Sequence, residues 1–361
     1  MGISRKLQAT IKQLGCGVAL ASTLGAAAPA HALLFNITST GNVQVDAGFQ
    51  EAANIVQSIF NDPITVNITA GFTALGPNIL GSAGSTFLAT TYSAVKAALA
   101  ADATSAYDAT MVAGLPGGNS YSRYINRTSD NPNGSGSATP YVQSGITAME
   151  ITTANAKAIG LLAGNAPGED AHITFSSLFF SSFDFDRSNG IGAGLFDFVG
   201  IAIHELGHAM GFISGVDILD GNSPPINGPF TAADFSPYTS LLDFTRCSAA
   251  SQGAGANLDW TAGSAAKDFA IDGSCTALVS NAWSTGRNFG DGRQASHWKD
   301  NLGIGIMDPT APFGLVNNLT ARDIQAFDVI GWNRVPEPAS LLLLVTALLG
   351  MVAVRRRGMV V

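Results

Sequence analysis

Asp197-Phe198-Val199-Gly200-Ile201-Ala202-Ile203-His204-Glu205-Leu206-Gly207-His208-Ala209-Met210 is the stretch that decides the reading of this chain. It predicts a helix with Asp197 as its N-cap. Phe198, Val199, Ile201, Ile203, Leu206 and Met210 run round most of its circumference, so the helix is expected to be central and buried. Into that apolar surface the sequence sets His204, Glu205 and His208. Residues four apart share a helix face, so the two imidazoles can grip one zinc ion from successive turns. Glu205 is placed to act as general base on a water at that metal rather than as a ligand. Without a metal, burying two histidines and a glutamate in a core helix would carry a desolvation cost with nothing to offset it.

Working outward, Gly48–Phe60 has helical spacing, with Phe49, Ala52, Ile55, Val56 and Ile59 on one face. Ile64–Phe72 alternates and is β-branched, which predicts a strand. Thr91–Ala103 is predicted helical, Asn119–Pro140 a loop, and Ala148–Leu162 a strand turning into a short helix. His172–Phe185 reads as one or two strands, and Asp186–Gly190 as a turn. Strands, a buried helix and an irregular second half indicate an α+β architecture. No internal linker stands out, so residues 33–334 are expected to form one catalytic unit.

Both ends read as addresses. Arg5, Lys6 and Lys12 precede an apolar stretch from Leu14 to Ala28 and an Ala30-His31-Ala32 cleavage site, which reads as a secretory signal peptide over residues 1–32. At the far end, residues 335–361 carry Val335-Pro336-Glu337-Pro338, an apolar run from Ala339 to Val354, and Arg355-Arg356-Arg357. The run is near the lower length limit for a membrane span, and the arginines fit a cytoplasmic stop, so transient membrane contact is expected. This tail resembles the PEP-CTERM sorting signal of Gram-negative bacteria. The resemblance implies export, recognition and removal of the tail by sorting machinery, and an extracellular, cell-surface or exopolysaccharide-associated location.

Composition narrows the functions further. A net charge of −8 without basic clusters argues against nucleic-acid binding. Cys16 leaves with the signal peptide, so Cys247 and Cys275 remain as a pair in an oxidising compartment, where a disulfide is expected.

Beyond the signal peptide the chain has four histidines: His172, His204, His208 and His297. His204-Glu205-Leu206-Gly207-His208-Ala209-Met210-Gly211-Phe212, then Ser296-His297-Trp298, then Ile306-Met307-Asp308-Pro309 resemble the metzincin zinc proteases. The placement is leishmanolysin-like, with a long insertion between Gly211 and the third histidine. The resemblance implies a zincin-type domain with a mixed sheet, a central active-site helix and an irregular C-terminal subdomain. It implies Zn2+ held by His204, His208 and His297, with Met307 in a methionine turn beneath the metal. Leu319–Trp332 also resembles the helix that ends such domains. The specific matches cover roughly residues 196–216 and 295–332, and no tyrosine follows Met307 closely, which leaves the oxyanion stabiliser unassigned.

Rival ligands can be weighed by chemistry. Ser214 has the usual spacing but a weakly binding hydroxyl, and Asp217 has suitable chemistry three residues further on. Asp217, Asp220 and Asp234 are otherwise expected to be solvated loop carboxylates rather than calcium ligands, and His172 a surface or strand-end residue. The expected function is a secreted zinc endopeptidase acting on protein or peptide substrates, with Glu205 as general base. The alternative is a non-proteolytic extracellular matrix or adhesion protein on the same scaffold.

Overall fold

The computed structural model describes residues 32–336. The expected signal peptide and the apolar and arginine segments of the tail lie outside the described residues. Among the described residues no helix is long and apolar enough to cross a membrane.

The chain opens with β1 (Leu34–Ile37), α1 (Val43–Gln57), β2 (Thr65–Thr73), β3 (Gly81–Ser85), β4 (Phe87–Thr91), α2 (Tyr92–Asp102) and α3 (Ala106–Gly114). It continues through β5 (Tyr121–Ile125), β6 (Tyr141–Ile146), β7 (Ala148–Thr152), α4 (Thr153–Ala158), β8 (Ala171–Ser176), β9 (Phe183–Asp184) and β10 (Phe196–Asp197). Then follow α5 (Phe198–Ala209), α6 (Val216–Asn222), β11 (Arg246–Cys247), α7 (Ala249–Gly253), β12 (Leu258–Asp259), β13 (Asp268–Phe269) and α8 (Ala321–Asp328). The architecture is mixed α and β with several small sheets.

The largest sheet has the order β1-β2-β8-β3. β1, β2 and β8 pair in parallel, and β3 runs antiparallel to β8 at the edge. A parallel pair needs a crossover, and α1 supplies it between β1 and β2. Asn42 caps α1 by accepting from the amides of Gln44 and Val45. Val45, Phe49, Ala52, Ala53 and Val56 turn inward to the core. The Phe198 ring at the start of α5 lies 4.7 Å, centroid to centroid, from Phe175 of β8, so the central helix rests on this sheet.

Asp197 caps α5 as the sequence indicates, accepting from the Gly200 amide at 3.0 Å. The helix ends at Gly211, whose φ of +101° is a left-handed conformation that favours glycine. An added Cβ there would lie within 1.7 Å of Asn155 Oδ1.

The segment from His172 to Phe185 forms two strands, β8 and β9, with a 3-10 turn at Ser177–Ser182 between them. Two expectations need correction. Tyr121–Ile125 is a strand inside the segment read as loop, because its alternation of buried and half-buried residues pairs with β6 and β12. Asp217 and Asp220 are not solvated loop carboxylates. Both lie in α6, and both accept hydrogen bonds from main-chain amides of the segment 288–296. Distant backbone donors captured them, which local sequence could not reveal. Asp234 is exposed and bonds Thr231, as a surface loop residue.

Candidate metal centre

α5 presents His204 and His208 one turn apart, both partly open to a cleft. The segment that follows β13 returns across the helix and brings His297 to them. The Nε2 atoms are 3.1 Å apart for His204 and His208, and 3.2 Å for each of these with His297. Among the described residues this is the one group of three or more His, Cys, Asp or Glu side chains whose ligand atoms lie within 4.8 Å of one another.

The other ring nitrogens decide the protonation state. His204 Nδ1 lies 2.8 Å from the Ile306 carbonyl oxygen, His208 Nδ1 2.8 Å from that of Phe212, and His297 Nδ1 3.3 Å from that of Gln294. A carbonyl can only accept, so each Nδ1 carries a proton, and in the neutral ring that leaves Nε2 with a lone pair. Three lone pairs converge on one point with no donor among them. Burial lowers the pKa of all three rings, to about 3 for His208, where His204 adds to the shift. Protons are therefore poor candidates to fill the gap.

A cation is the species that fits. Three nitrogens at tetrahedral zinc distances of about 2.0–2.1 Å would stand roughly 3.3 Å apart, close to the separations found. The hydrogen bonds at Nδ1 are the kind of outer partners that orient metal-bound imidazoles.

Glu205 is buried beside the triad and does not join it. A Cβ added to Gly81 of β3 would lie 2.6 Å from Glu205 Oε1, so the carboxylate faces the edge strand. Desolvation raises its pKa to about 8. A cation at the triad would oppose that rise. Beneath the helix, a Cβ on Gly207 would lie 2.5 Å from Met307 Sδ, so this glycine permits the close approach of the Met307 turn.

A cleft of about 1530 Å³ opens over these groups. It is lined by Gly81–Ser85, by residues of the 303–312 segment, and by the three histidines and Glu205. Ser214 and Asp217 also line it, but neither joins the three nitrogens. Ser214 Oγ donates to Asp243 at 2.6 Å. Asp217 holds the backbone ahead of His297. His172 is exposed on β8 against Gly84 and is not part of the cleft wall.

Sequence reasoning missed Asp323. From the first turn of α8 its carboxylate accepts from the Ile306 amide at 2.8 Å, the Trp298 indole at 2.8 Å and the Thr320 amide at 2.7 Å. It thereby fixes both the carbonyl that orients His204 and the residue after His297. The capping pattern Thr320-x-x-Asp323 was the visible signal for this position.

Cys247 and Cys275 form a disulfide, with Cα atoms 5.8 Å apart. It closes a loop within the insertion that separates Gly211 from His297.

Comparison with known proteins matches residues 334–357 to the PEP-CTERM protein-sorting motif. That motif indicates export and sorting toward the cell surface or extracellular space of a Gram-negative bacterium, through machinery that recognises the tail. No curated protein and no solved structure matches the chain.

Proposed function

We propose that this protein is an exported zinc-dependent endopeptidase of metzincin type, with His204, His208 and His297 as metal ligands. The observation that carries the reading is the convergence of three unprotonated Nε2 atoms, each ring locked by a carbonyl at Nδ1, beside a buried carboxylate in an open cleft.

Zinc held there would act as a Lewis acid, polarising a carbonyl and lowering the pKa of a water in its fourth position. The protein's own groups supply the rest. Glu205, not needed as a ligand, accepts the proton of the attacking water and returns it to the departing amide nitrogen. β3 leaves one edge unpaired along the cleft, so an extended peptide can add to it through main-chain hydrogen bonds. Its Gly-Ser-Ala-Gly-Ser sequence keeps that wall free of bulky side chains. Met307 closes the floor beneath α5 without offering a charged group.

The test is cleavage of casein by the purified protein, before and after removal of metal by a chelator and after zinc is restored. Cleavage that disappears with the metal and returns with zinc supports the reading. Bound zinc with intact casein would favour the matrix or adhesion alternative.

A further inference from the structure

The segment that delivers His297 lies in no helix, and its strand-like pairing is limited to isolated bridges of Gly286 with Arg293 and of Trp283 with Trp298. Something other than regular secondary structure must hold the ligand in place. Side chains and amides from elsewhere in the chain engage its peptide groups. On the amide side, Asp217 Oδ1 accepts from Ala295 N at 2.6 Å, and Oδ2 accepts from Ser296 N at 3.0 Å and from the Ser296 hydroxyl. On the carbonyl side, Arg246 Nη1 donates to the Ala295 oxygen at 3.0 Å, while Nη2 donates to the Ser284 oxygen at 3.0 Å. Ser284 in turn donates its amide to the His297 carbonyl at 3.1 Å and its hydroxyl to that of Trp298 at 2.8 Å.

We propose that Asp217 and Arg246 form a charged clamp that positions His297, gripping the peptide ahead of it from opposite sides. The proposal rests on His297 being a metal ligand and adds the residues that set its position. Asp217 follows α5 directly, in the first turn of α6, so it ties the third ligand to the helix that carries the first two. Arg246 is fully buried in β11, next to Cys247, and the disulfide to Cys275 anchors that strand. Charged partners suit this task because hydrogen bonds to ions are shorter and stronger than neutral ones. A carboxylate can receive all three donors of the Ala295–Ser296 unit at once, which an amide of the same shape cannot. Asp217 acts through His297 and is a positioning residue.

The experiment measures Zn2+ affinity of the full chain by competition with a chromophoric chelator, and the visible spectrum after Co2+ substitution. Asp217→Asn is expected to weaken zinc binding by about 5- to 100-fold, because it leaves at least one buried donor of the Ala295–Ser296 unit without an acceptor, and to shift the Co2+ bands. Asp217→Glu is expected to recover part of both. If Asp217→Asn does not fold, Ser296→Ala removes the hydroxyl that donates to Asp217 and accepts from the Ser214 amide, and is expected to cost about 5- to 100-fold, the worth of two hydrogen bonds. A parent that binds one zinc and an Asp217→Asn variant that binds it equally tightly, with an unchanged Co2+ spectrum, would overturn the clamp alone. Equal affinity of Ser296→Ala would do the same where the first variant is unfolded. A parent that binds no zinc would overturn the metal centre and the clamp together.

Discussion

The Nε2 atoms of His204 and His297 stand 3.2 Å apart, although 93 residues separate them in sequence. Burial disfavours the charged form of both rings, and in the neutral form with Nδ1 protonated neither nitrogen has a proton to offer the other. A cation held between them, as proposed, would make that close approach favourable.

Removal of His297 is the direct test of that arrangement. His297→Ala is expected to lose stoichiometric zinc, leaving two ligands where catalytic zinc ordinarily takes three. Metal analysis after dialysis at low zinc measures it. Full retention of tightly bound zinc would show that another group is the third ligand.

Glu205 should separate metal binding from chemistry. Glu205→Ala is expected to retain zinc and to reduce peptidase activity by about 100- to 10,000-fold, the usual contribution of a general base. Zinc content and casein turnover, measured on the same sample, check both halves. Activity near the parent level would remove Glu205 from the mechanism.

The disulfide should matter for stability. Cys247 and Cys275 are 28 residues apart. In the chain-entropy view a loop of that size contributes about 3.5 kcal/mol by restricting the unfolded chain. Replacing both cysteines with alanine is expected to lower the urea midpoint accordingly. Titration of two free thiols in the denatured, unreduced protein made in the periplasm would refute the bond itself.

Asp328 gives a pH dependence whose sign follows from its surroundings. Burial raises its carboxyl from 3.8 to about 6, with Asp108 adding to the shift. Its Oδ2 accepts from Ser105 at 2.9 Å, while Oδ1 has no partner. A raised carboxyl pKa means that the folded state holds the proton more tightly than the unfolded one. The group's contribution is therefore full below about pH 4 and is lost as pH rises through about 6. Asp328→Asn imitates the protonated form. Its thermal midpoint, relative to the parent, is expected to be higher at pH 8 than at pH 5. A difference between variant and parent that does not change with pH would contradict this account.

The local features of the site were legible because local rules govern them. Four-residue spacing on a helix brings His204 and His208 together in any context, and the Asp197 side chain caps that helix by accepting from the Gly200 amide three residues on. The role of Asp217 was not legible. It looked like a loop carboxylate or a rival ligand, and its donors Ala295 and Ser296 lie 78 and 79 residues away. β3 escaped notice for a similar reason, since Gly-Ser-Ala-Gly-Ser has neither β-branched residues nor apolar alternation. Its pairing with β8 makes it a strand.

By itself the sequence determined the buried helix, its cap, the two histidines on one face and the sorting tail, because each depends on residues close together in the chain. Tertiary structure alone decided the rest: which groups receive the Nδ1 protons, where Glu205 faces, and what holds the segment carrying His297. Those depend on contacts between parts of the chain that periodicity does not connect. A buried backbone amide must find an acceptor, but the sequence does not say which one until the fold has closed.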